Sequence, residues 1–361
     1  MGDKGFCRLC AALLACIATF GVFLASCSSE VGAGADDGRI SIVCTTFPQY
    51  DWIREIIAGN DDGFRLALLT EKGGDLHSYQ PSALDIARIS ECDMLVYVGG
   101  ESDKWVEDVL RADVGSDVCA VNMMSELEGR LYEEEHIGLG HPEDGHEDWH
   151  SGGYGEYEYG GGQADSYDDV EYDEHVWLSL RNAEHIVRVL CDELSRLDAG
   201  NAKLYEKNCE AYLEKLGALD SEYEAAVETA SADALVFADR FPFRYMAEDY
   251  GIECFAAFEG CSAETEASFE TVASLIEAVK AHHLTAVLVL EGSDSRLARV
   301  IIENADRDNG RVLVINSMQS VSRKDIEGGI SYIDVMEDNL DVLRQALNKT
   351  LRNTKVAKDV T

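Results

Sequence analysis

Short hydrophobic runs alternate with amphipathic segments along two stretches of the chain. Within residues 39–123 each run is rich in β-branched and aliphatic side chains, and the segments between the runs have helical spacing of their apolar positions. The same alternation returns from residue 234 onward, with a last helical segment after Tyr332. Alternation of this kind is typical of parallel sheets covered by helices. It predicts an α/β protein with two parallel-sheet lobes, whose strands carry the runs RISIVCTTF, FRLALLT, DMLVYVGG and DVCAVNM in the first lobe and ALVFAD, IECFAAFE, AVLVLEG and RVLVINS in the second.

A segment without proline separates the two lobes. Residues 182–231 are rich in Ala, Leu, Glu, Lys and Arg, which are good helix formers. A continuous helix over this segment would span about 70 Å, and Asp198, Ala199 and Gly200 mark a place where it could break. We expect one long rigid helix to join the lobes and to act as a stiff hinge. The implied divisions are 39–131 for the N-terminal lobe, 175–231 for the end of that lobe and the connecting helix, and 232–361 for the C-terminal lobe.

The first residues have the pattern of a targeting segment. Lys4 and Arg8 precede an apolar stretch that runs to Ala25, which is typical of a secretory signal. The stretch closes on LASC, which resembles the bacterial lipobox, so we expect Cys27 to be lipidated and to become the mature N-terminus. An uncleaved membrane helix is the alternative. Residues 1–27 are therefore assigned to a lipoprotein signal peptide and 28–38 to a flexible tether, which predicts a protein anchored by lipid to the outer face of the cell membrane.

The excess of acidic over basic residues limits the kinds of partner that the protein can bind. The 361 residues include 69 acidic and 30 basic side chains, for a formal net charge of −39. Such a surface repels the phosphate backbone, so no nucleic-acid partner is expected. The same acidic surface can bind cations at places where oxygen and imidazole ligands lie close together.

Residues 132–174 form a segment in which no core could be built. From Glu133 to Glu174 the chain has 15 acidic residues, nine glycines and no Lys or Arg. Its imidazoles are spaced among carboxylates, an arrangement that can bind divalent metal weakly and raise its local concentration. The alternative is that the segment is a solvated acidic loop with no function of its own. We interpret the segment as an accessory metal-capture loop that uses His136, His141, His146 and His150.

Two further histidines stand at positions that a ligand site would need. His77 lies in GGDLHSYQPSALD, after a strand and before a helix whose start is marked by Pro81 and Ser82. His175 directly follows the acidic loop in YDEHVWLS, and Asp173 is placed to orient its ring. Because ligands bind at the carboxyl ends of parallel strands, we expect the site in the cleft between the two lobes.

These motifs resemble those of the substrate-binding lipoproteins of bacterial zinc and manganese ABC transporters. The family opens with a strand that ends in TT before a proline, and this chain has CTTFPQYDW. The family's first metal histidine lies in a motif like G-x-x-x-H-x-Y-x-P-S, and its second follows a variable His-rich loop in D-x-H-x-W-L-S. GGDLHSYQPS and DEHVWLS match these two motifs in the same order. The resemblance implies that His77 and His175 are metal ligands.

The C-terminal lobe departs from the family pattern. Ala238 falls where the third histidine or a glutamate would stand in VFADRFPFRY, and Asn316 replaces an aspartate after the last strand. Asp239 is our candidate for the third ligand, although an N-cap for the following helix is an equal alternative. Glu291 in LVLEGSD is the other candidate carboxylate, and Asn316 could still ligate through its amide oxygen.

The predicted function is metal import. Two imidazoles and a carboxylate suit Zn²⁺ in a tetrahedral site, with Mn²⁺ as the alternative because it prefers more oxygen ligands. The resemblance implies a monomeric extracytoplasmic solute-binding protein that delivers the ion to an ABC permease and its ATPase. A zinc-dependent hydrolase or a metal-binding adhesin on the same scaffold is the rival interpretation. No nucleophile elbow is present, so we do not expect an enzyme.

Overall fold

The computed structural model describes residues 38–71, 73, 76–112, 118–134, 171–260, 267–306 and 310–348. The N-terminal lobe is built on a four-stranded parallel sheet, and its elements are β1 (Ile40–Cys44), α1 (Phe47–Ile56), β2 (Phe64–Leu68), α2 (Ala83–Ser90), β3 (Met94–Tyr97), α3 (Lys104–Arg111), β4 (Cys119–Asn122) and α4 (Met123–Glu126). The strand order is β2-β1-β3-β4. All four residues of β3 are buried, as expected of a central strand covered on both faces.

Local sequence determines where the helices of this lobe begin. Thr46 and Gln49 form a capping box at the start of α1, next to Pro48, and Ser82 and Asp85 form another at the start of α2. The carboxyl end of β1 therefore leads directly into a capped helix, and the second capping box lies on the connection between β2 and β3. These turns place polar side chains at one edge of the sheet.

The C-terminal lobe repeats the architecture. Its elements are β5 (Ala234–Phe241), α7 (Arg244–Tyr250), β6 (Glu253–Glu259), α8 (Phe269–Ala281), β7 (Ala286–Leu290), α9 (Arg296–Asn304), β8 (Arg311–Ile315), α10 (Arg323–Glu327) and α11 (Tyr332–Leu347). The sheet is parallel with the order β6-β5-β7-β8. The predicted pair of parallel-sheet lobes is confirmed.

The connection between the lobes consists of two helices, α5 (Leu180–Leu197) and α6 (Ala202–Glu228). The prediction of one continuous helix over 182–231 is wrong. The chain turns at Asp198, the position at which the sequence indicated a possible break. The carboxylate of Asp198 accepts hydrogen bonds from Asn201 and from the hydroxyl of Tyr205, and these bonds stabilise the turn. The long connecting helix is α6, whose 27 residues span about 40 Å and pack along α5.

The start of α11 ties the second lobe to the first. The backbone N–H of Tyr332 donates to Asp51 of α1 at 2.7 Å, and the Tyr332 ring packs edge-on against Trp52 with ring centroids 5.1 Å apart. The Tyr332 hydroxyl donates to the carbonyl of Trp177 at 2.7 Å. All three aromatic side chains are buried. These contacts hold the lobes in a narrow range of relative positions.

No helix in the described part of the chain combines the length and the apolar character that crossing a bilayer requires.

Candidate metal-binding site

His77 lies in a short 3-10 turn, Leu76–Ser78, between β2 and α2. Its ring Nδ1 is 2.8 Å from the hydroxyl oxygen of Ser102. The backbone N–H of Ser102 donates to Oε1 of Glu174 at 2.8 Å. Nδ1 of His77 therefore faces an oxygen partner, and Nε2 lies on the opposite side of the ring from Ser102.

His175 stands immediately before the 3-10 turn Val176–Leu178 and is completely buried. Oδ1 of Asp173 accepts two hydrogen bonds from this residue, one from its backbone N–H at 2.8 Å and one from its ring Nδ1 at 2.9 Å. The ring also packs edge-on against Trp177, with ring centroids 5.3 Å apart. The carboxylate holds the proton on Nδ1, so Nε2 of this ring is an acceptor.

The structure brings the two predicted histidines together. Nε2 of His77 lies 3.1 Å from Nε2 of His175, across 98 residues of sequence. Both other ring nitrogens face away, toward oxygen partners. Metal-ligating histidines have this arrangement, because one nitrogen binds the ion and the other donates to an outer acceptor. The donor set therefore fits a divalent transition metal.

A third side chain at this point was not anticipated from the sequence. Nε2 of Gln319 lies 3.1 Å from Nε2 of His77 and 2.5 Å from Nε2 of His175. Gln319 follows β8, in the loop that also contains Asn316, and it is buried. Its place after the carboxyl end of a parallel strand is the signal that could have identified it. No third His, Cys, Asp or Glu joins the two histidines among the residues that the structure describes.

The three C-terminal ligand candidates have other hydrogen-bond partners. Asp239, inside β5, accepts from the backbone N–H groups of Arg240 and Leu290. Each oxygen of Glu291 accepts from Ser317, one from its hydroxyl at 2.7 Å and one from its backbone N–H at 2.9 Å. The Asn316 amide oxygen accepts from the backbone N–H of Met318 at 2.8 Å. The alternative role of Asp239 as an N-cap is wrong, because α7 begins at Arg244 with Phe243 as its N-cap.

The site is formed between the two lobes. The indole N–H of Trp177 donates to the carbonyl of Ser317 at 2.9 Å, which links the segment after His175 to the loop after β8. Gly260, at the end of β6, packs so closely that an added Cβ would lie 3.2 Å from Cε1 of His175. The two Nε2 atoms therefore lie where loops from both lobes meet.

Buried carboxylates give this region a negative potential. Asp173 and Glu174 are each only 3% exposed. Burial raises the pKa of Glu174 above its usual range, and hydrogen bonds from Ser102 oppose that shift. Burial also raises the pKa of Asp103, which hydrogen-bonds the backbone of Val98, to about 6. Oε2 of Glu174 accepts no hydrogen bond from the described residues and lies 3.7 Å from Nδ1 of His77, where it favours cation binding at the opposite ring nitrogen.

Other predicted residues lie outside the described part of the chain. These are Cys27 of the lipobox and the loop histidines His136, His141, His146 and His150.

Comparison with protein families identifies the group to which these features belong. Residues 42–346 match the family model described as ZnuA, zinc-uptake complex component A, periplasmic. The chain belongs to the ZnuA family. The expected membership among substrate-binding proteins of zinc transport is confirmed. The ZnuA family consists of transport components and is not a family of enzymes.

Individual relatives support the assignment. The zinc-binding lipoprotein AdcA of Streptococcus pneumoniae is 31% identical over 331 residues, which cover 91% of this chain and 59% of AdcA. The high-affinity zinc uptake system protein ZnuA of Bacillus subtilis is 25% identical over 337 residues, which cover 92% of this chain and 96% of that protein. This chain thus spans only about 59% of the length of the AdcA relatives.

Solved structures show the same fold. The crystal structure of the Zn(II)-bound ZnuA-like domain of Streptococcus pneumoniae AdcA superposes with a TM-score of 0.64 at 27% sequence identity. The match covers 86% of this chain and all of that domain. The structural similarity and the sequence match therefore point to the same family.

Proposed function

We propose that this ZnuA-family protein captures Zn²⁺ in the cleft between its lobes and delivers it to the permease of an ABC transporter for import. The observation that carries the proposal is the pair of imidazole Nε2 atoms, 3.1 Å apart, on His77 and His175. Each ring is held by an outer oxygen partner in the tautomer that metal binding requires.

The choice of zinc rests on the donor atoms. Neutral imidazole suits Zn²⁺, whereas Mn²⁺ prefers sites in which oxygen ligands dominate. The family description and the names of the AdcA and ZnuA relatives also refer to zinc. Mn²⁺ is therefore the weaker alternative.

In this proposal His77 and His175 are the nitrogen ligands. Asp239, Glu291 and Asn316 act further from the ion, since their oxygens accept hydrogen bonds from Arg240, from Ser317 and from other groups of the C-terminal lobe.

The remaining parts of the transport cycle are also proposals. Cys27 carries the lipid anchor that keeps the protein, as a monomer, on the outer face of the membrane. The loop histidines collect zinc near the cleft. The contacts of Tyr332 with α1 limit how far the lobes can separate, so release at the permease involves a small opening and not a wide hinge motion.

The direct test is a calorimetric titration of the chelator-stripped protein with Zn²⁺. We expect one tight site, and we expect His77→Ala and His175→Ala each to weaken it by more than about 100-fold, which exceeds the usual cost of losing an outer partner. His185→Ala is the matched control, because that imidazole lies on α5 and bonds to the carbonyl of Glu126 in α4. Wild-type affinity in both site variants would overturn the proposal.

A second test addresses transport and anchoring. Cells that lack the protein should recover zinc uptake with the wild-type gene and not with the His77→Ala, His175→Ala double variant. Cys27→Ser should move the protein from the membrane fraction to the soluble fraction. Uptake that is equal with and without the two histidines would contradict a role in zinc transport.

A further inference from the structure

Gln319 contacts both metal-facing imidazoles with a single amide nitrogen. Its Nε2 lies 3.1 Å from His77 Nε2 and 2.5 Å from His175 Nε2. The side chain is 7% exposed, so water does not compete freely for these contacts. The amide comes from the loop after β8 in the C-terminal lobe, and the two rings come from the other side of the cleft.

The amide nitrogen of Gln319 is placed to donate to both rings. Ring Nδ1 of His175 is bonded to Asp173 and that of His77 to Ser102. Nε2 of His175 is therefore an acceptor, and Nε2 of His77, 3.1 Å away, is an acceptor as well when the proton of that ring lies on Nδ1. The amide NH₂ of Gln319 has two hydrogens, one for each ring.

The other end of the same amide contacts a group that can act as donor or acceptor. Oε1 of Gln319 is 3.2 Å from the hydroxyl of Ser317, and that hydroxyl is 2.7 Å from Oε1 of Glu291. A serine hydroxyl can donate to Gln319 Oε1, or it can accept from Gln319 Nε2 while donating to Glu291. Ser317 can therefore satisfy the amide in either of two orientations.

We propose that Gln319 is a two-state ligand whose amide turns over when zinc is captured. In the metal-free protein its N–H groups hold the two imidazoles, and in the loaded protein its Oε1 binds the ion while its N–H group donates to Ser317. Glu291 is then the partly buried carboxylate that supports the loaded orientation through the Ser317 hydroxyl. The inference rests on the proposed function, because it assigns a third ligand to the same ion.

Because Gln319 is a neutral ligand, it affects how tightly zinc binds and how fast zinc is released. Two imidazoles and an amide leave the charge of Zn²⁺ uncompensated by its direct ligands. The nearest compensation comes from Asp173 and Glu174, which contact the histidines or their partners and not the ion itself. Because a carboxylate in place of the amide would add direct charge attraction, Gln319 makes binding weaker and release faster than a glutamate would.

The amide can be observed directly in the wild-type protein. The chain has five glutamines, so side-chain ¹⁵N labelling gives few signals, and the pair from Gln319 is identified by its loss in Gln319→Met. We expect this pair to shift when one equivalent of Zn²⁺ is added, and we expect the pair from Gln345 to stay unchanged. An unchanged Gln319 pair at full zinc occupancy would overturn the two-state amide.

Variants test the role of the amide as a ligand. We expect Gln319→Met to lower zinc affinity by about tenfold or more and Gln319→Glu to raise it by about tenfold, with slower release to a chromophoric chelator. Ser317→Ala should lower affinity in the wild-type background and have no further effect on Gln319→Met. Gln345→Glu is the charge-matched control, since Gln345 bonds Arg311 at the opposite end of β8.

The outcomes separate this inference from the proposed function. If His77→Ala abolishes zinc binding while Gln319→Met and Gln319→Glu bind as the wild type does, zinc capture stands and the amide ligand is wrong. If zinc binding is insensitive to His77 and His175, the site itself is wrong, and the inference fails with it.

Discussion

The carboxylate of Asp173 accepts two hydrogen bonds from His175, one from the backbone N–H and one from the ring. A residue two positions away in the sequence thus determines both the orientation and the tautomer of the buried ring. The next residue, Glu174, accepts a hydrogen bond from the backbone N–H of Ser102, and the hydroxyl of Ser102 contacts the other histidine, His77. One acidic dipeptide therefore orients both imidazoles of the site.

The first prediction concerns the hydrogen bond by which Asp173 orients the His175 ring. Asp173→Ala should lower zinc affinity by about 10- to 100-fold, because the His175 ring loses the partner that keeps Nε2 free for the metal. Calorimetry on the stripped protein measures the change. Asp233→Ala is the control, since that exposed carboxylate bonds to His282 instead. Equal affinity in Asp173→Ala and the wild type would contradict the orienting role.

The second prediction compares two glycines. At Gly260 an added Cβ would lie 2.9 Å from the carbonyl oxygen of Phe241 and close to the His175 ring, so the backbone must move. Gly260→Ala should lower the free energy of unfolding by about 1–3 kcal/mol and weaken zinc binding. In the interior of α6 the Cβ of Gly217→Ala would meet only Glu184, at 3.4 Å, and this variant should gain about 0.5–1 kcal/mol. Chemical denaturation and zinc titration test both, and a stabilised Gly260→Ala variant would show that the contact is not tight.

The third prediction concerns Asp51, which lies where α11 joins the first lobe. Burial raises the pKa of this carboxyl from 3.8 to about 6, although hydrogen bonding from Tyr332 and the nearby charge of Arg54 oppose the shift. The folded protein therefore binds the proton more tightly than the unfolded chain does. The stability that this proton contributes is complete below about pH 4 and is lost as the pH rises through 6.

Asp51→Asn removes this titration. The free energy of unfolding of the wild type, relative to the variant, should increase by about 2–3 kcal/mol as the pH falls from 7 to 4. Urea denaturation of both proteins across that pH range measures the difference. A difference that is constant with pH would show that Asp51 ionises normally in the folded protein.

The fourth prediction concerns the His-rich loop. Residues 132–134 and 171–173 lie side by side, since Glu134 N–H donates to the carbonyl of Glu171 and Asp173 N–H donates to that of Tyr132, both at 2.9 Å. Because these ends already meet, residues 135–170 can be replaced by a short Gly-Ser linker. We expect the tight site to keep its affinity and the weak zinc sites to disappear in a calorimetric titration. Loss of the tight site would assign the loop a direct part in coordination.

Several features could be predicted because they depend on local chemistry. The alternation of buried runs with amphipathic segments predicts two parallel sheets, since each element must bury one face. The capped turn at Ser82 and the break at Asp198 also have local causes, because each of these short polar side chains bonds a group a few residues further along the chain. His77 and His175 could be identified because each lies in a motif flanked by its own strand, helix or loop.

The other members of the site could not be found in this way. Gln319 lies 144 residues from His175 along the chain, and Ser102 lies 72 residues from Glu174. Only its place after the strand run RVLVINS marks Gln319 in the sequence, whereas Asn316 occupies a position where a family pattern expects a ligand and Asp239 lies beside another. Hydrogen bonds to the backbone hold those two side chains in the C-terminal lobe.

The sequence by itself determined the two lobes, the connecting helix with its break, and the two histidines, because periodicity, capping and short motifs act over a few residues. Only the tertiary structure decided which polar side chain meets those histidines and which carboxylates support it. The physical reason is that the site forms where loops from separate sheets converge. Their relative position follows from the packing of Trp52, Trp177 and Tyr332 between the lobes, which no local pattern encodes.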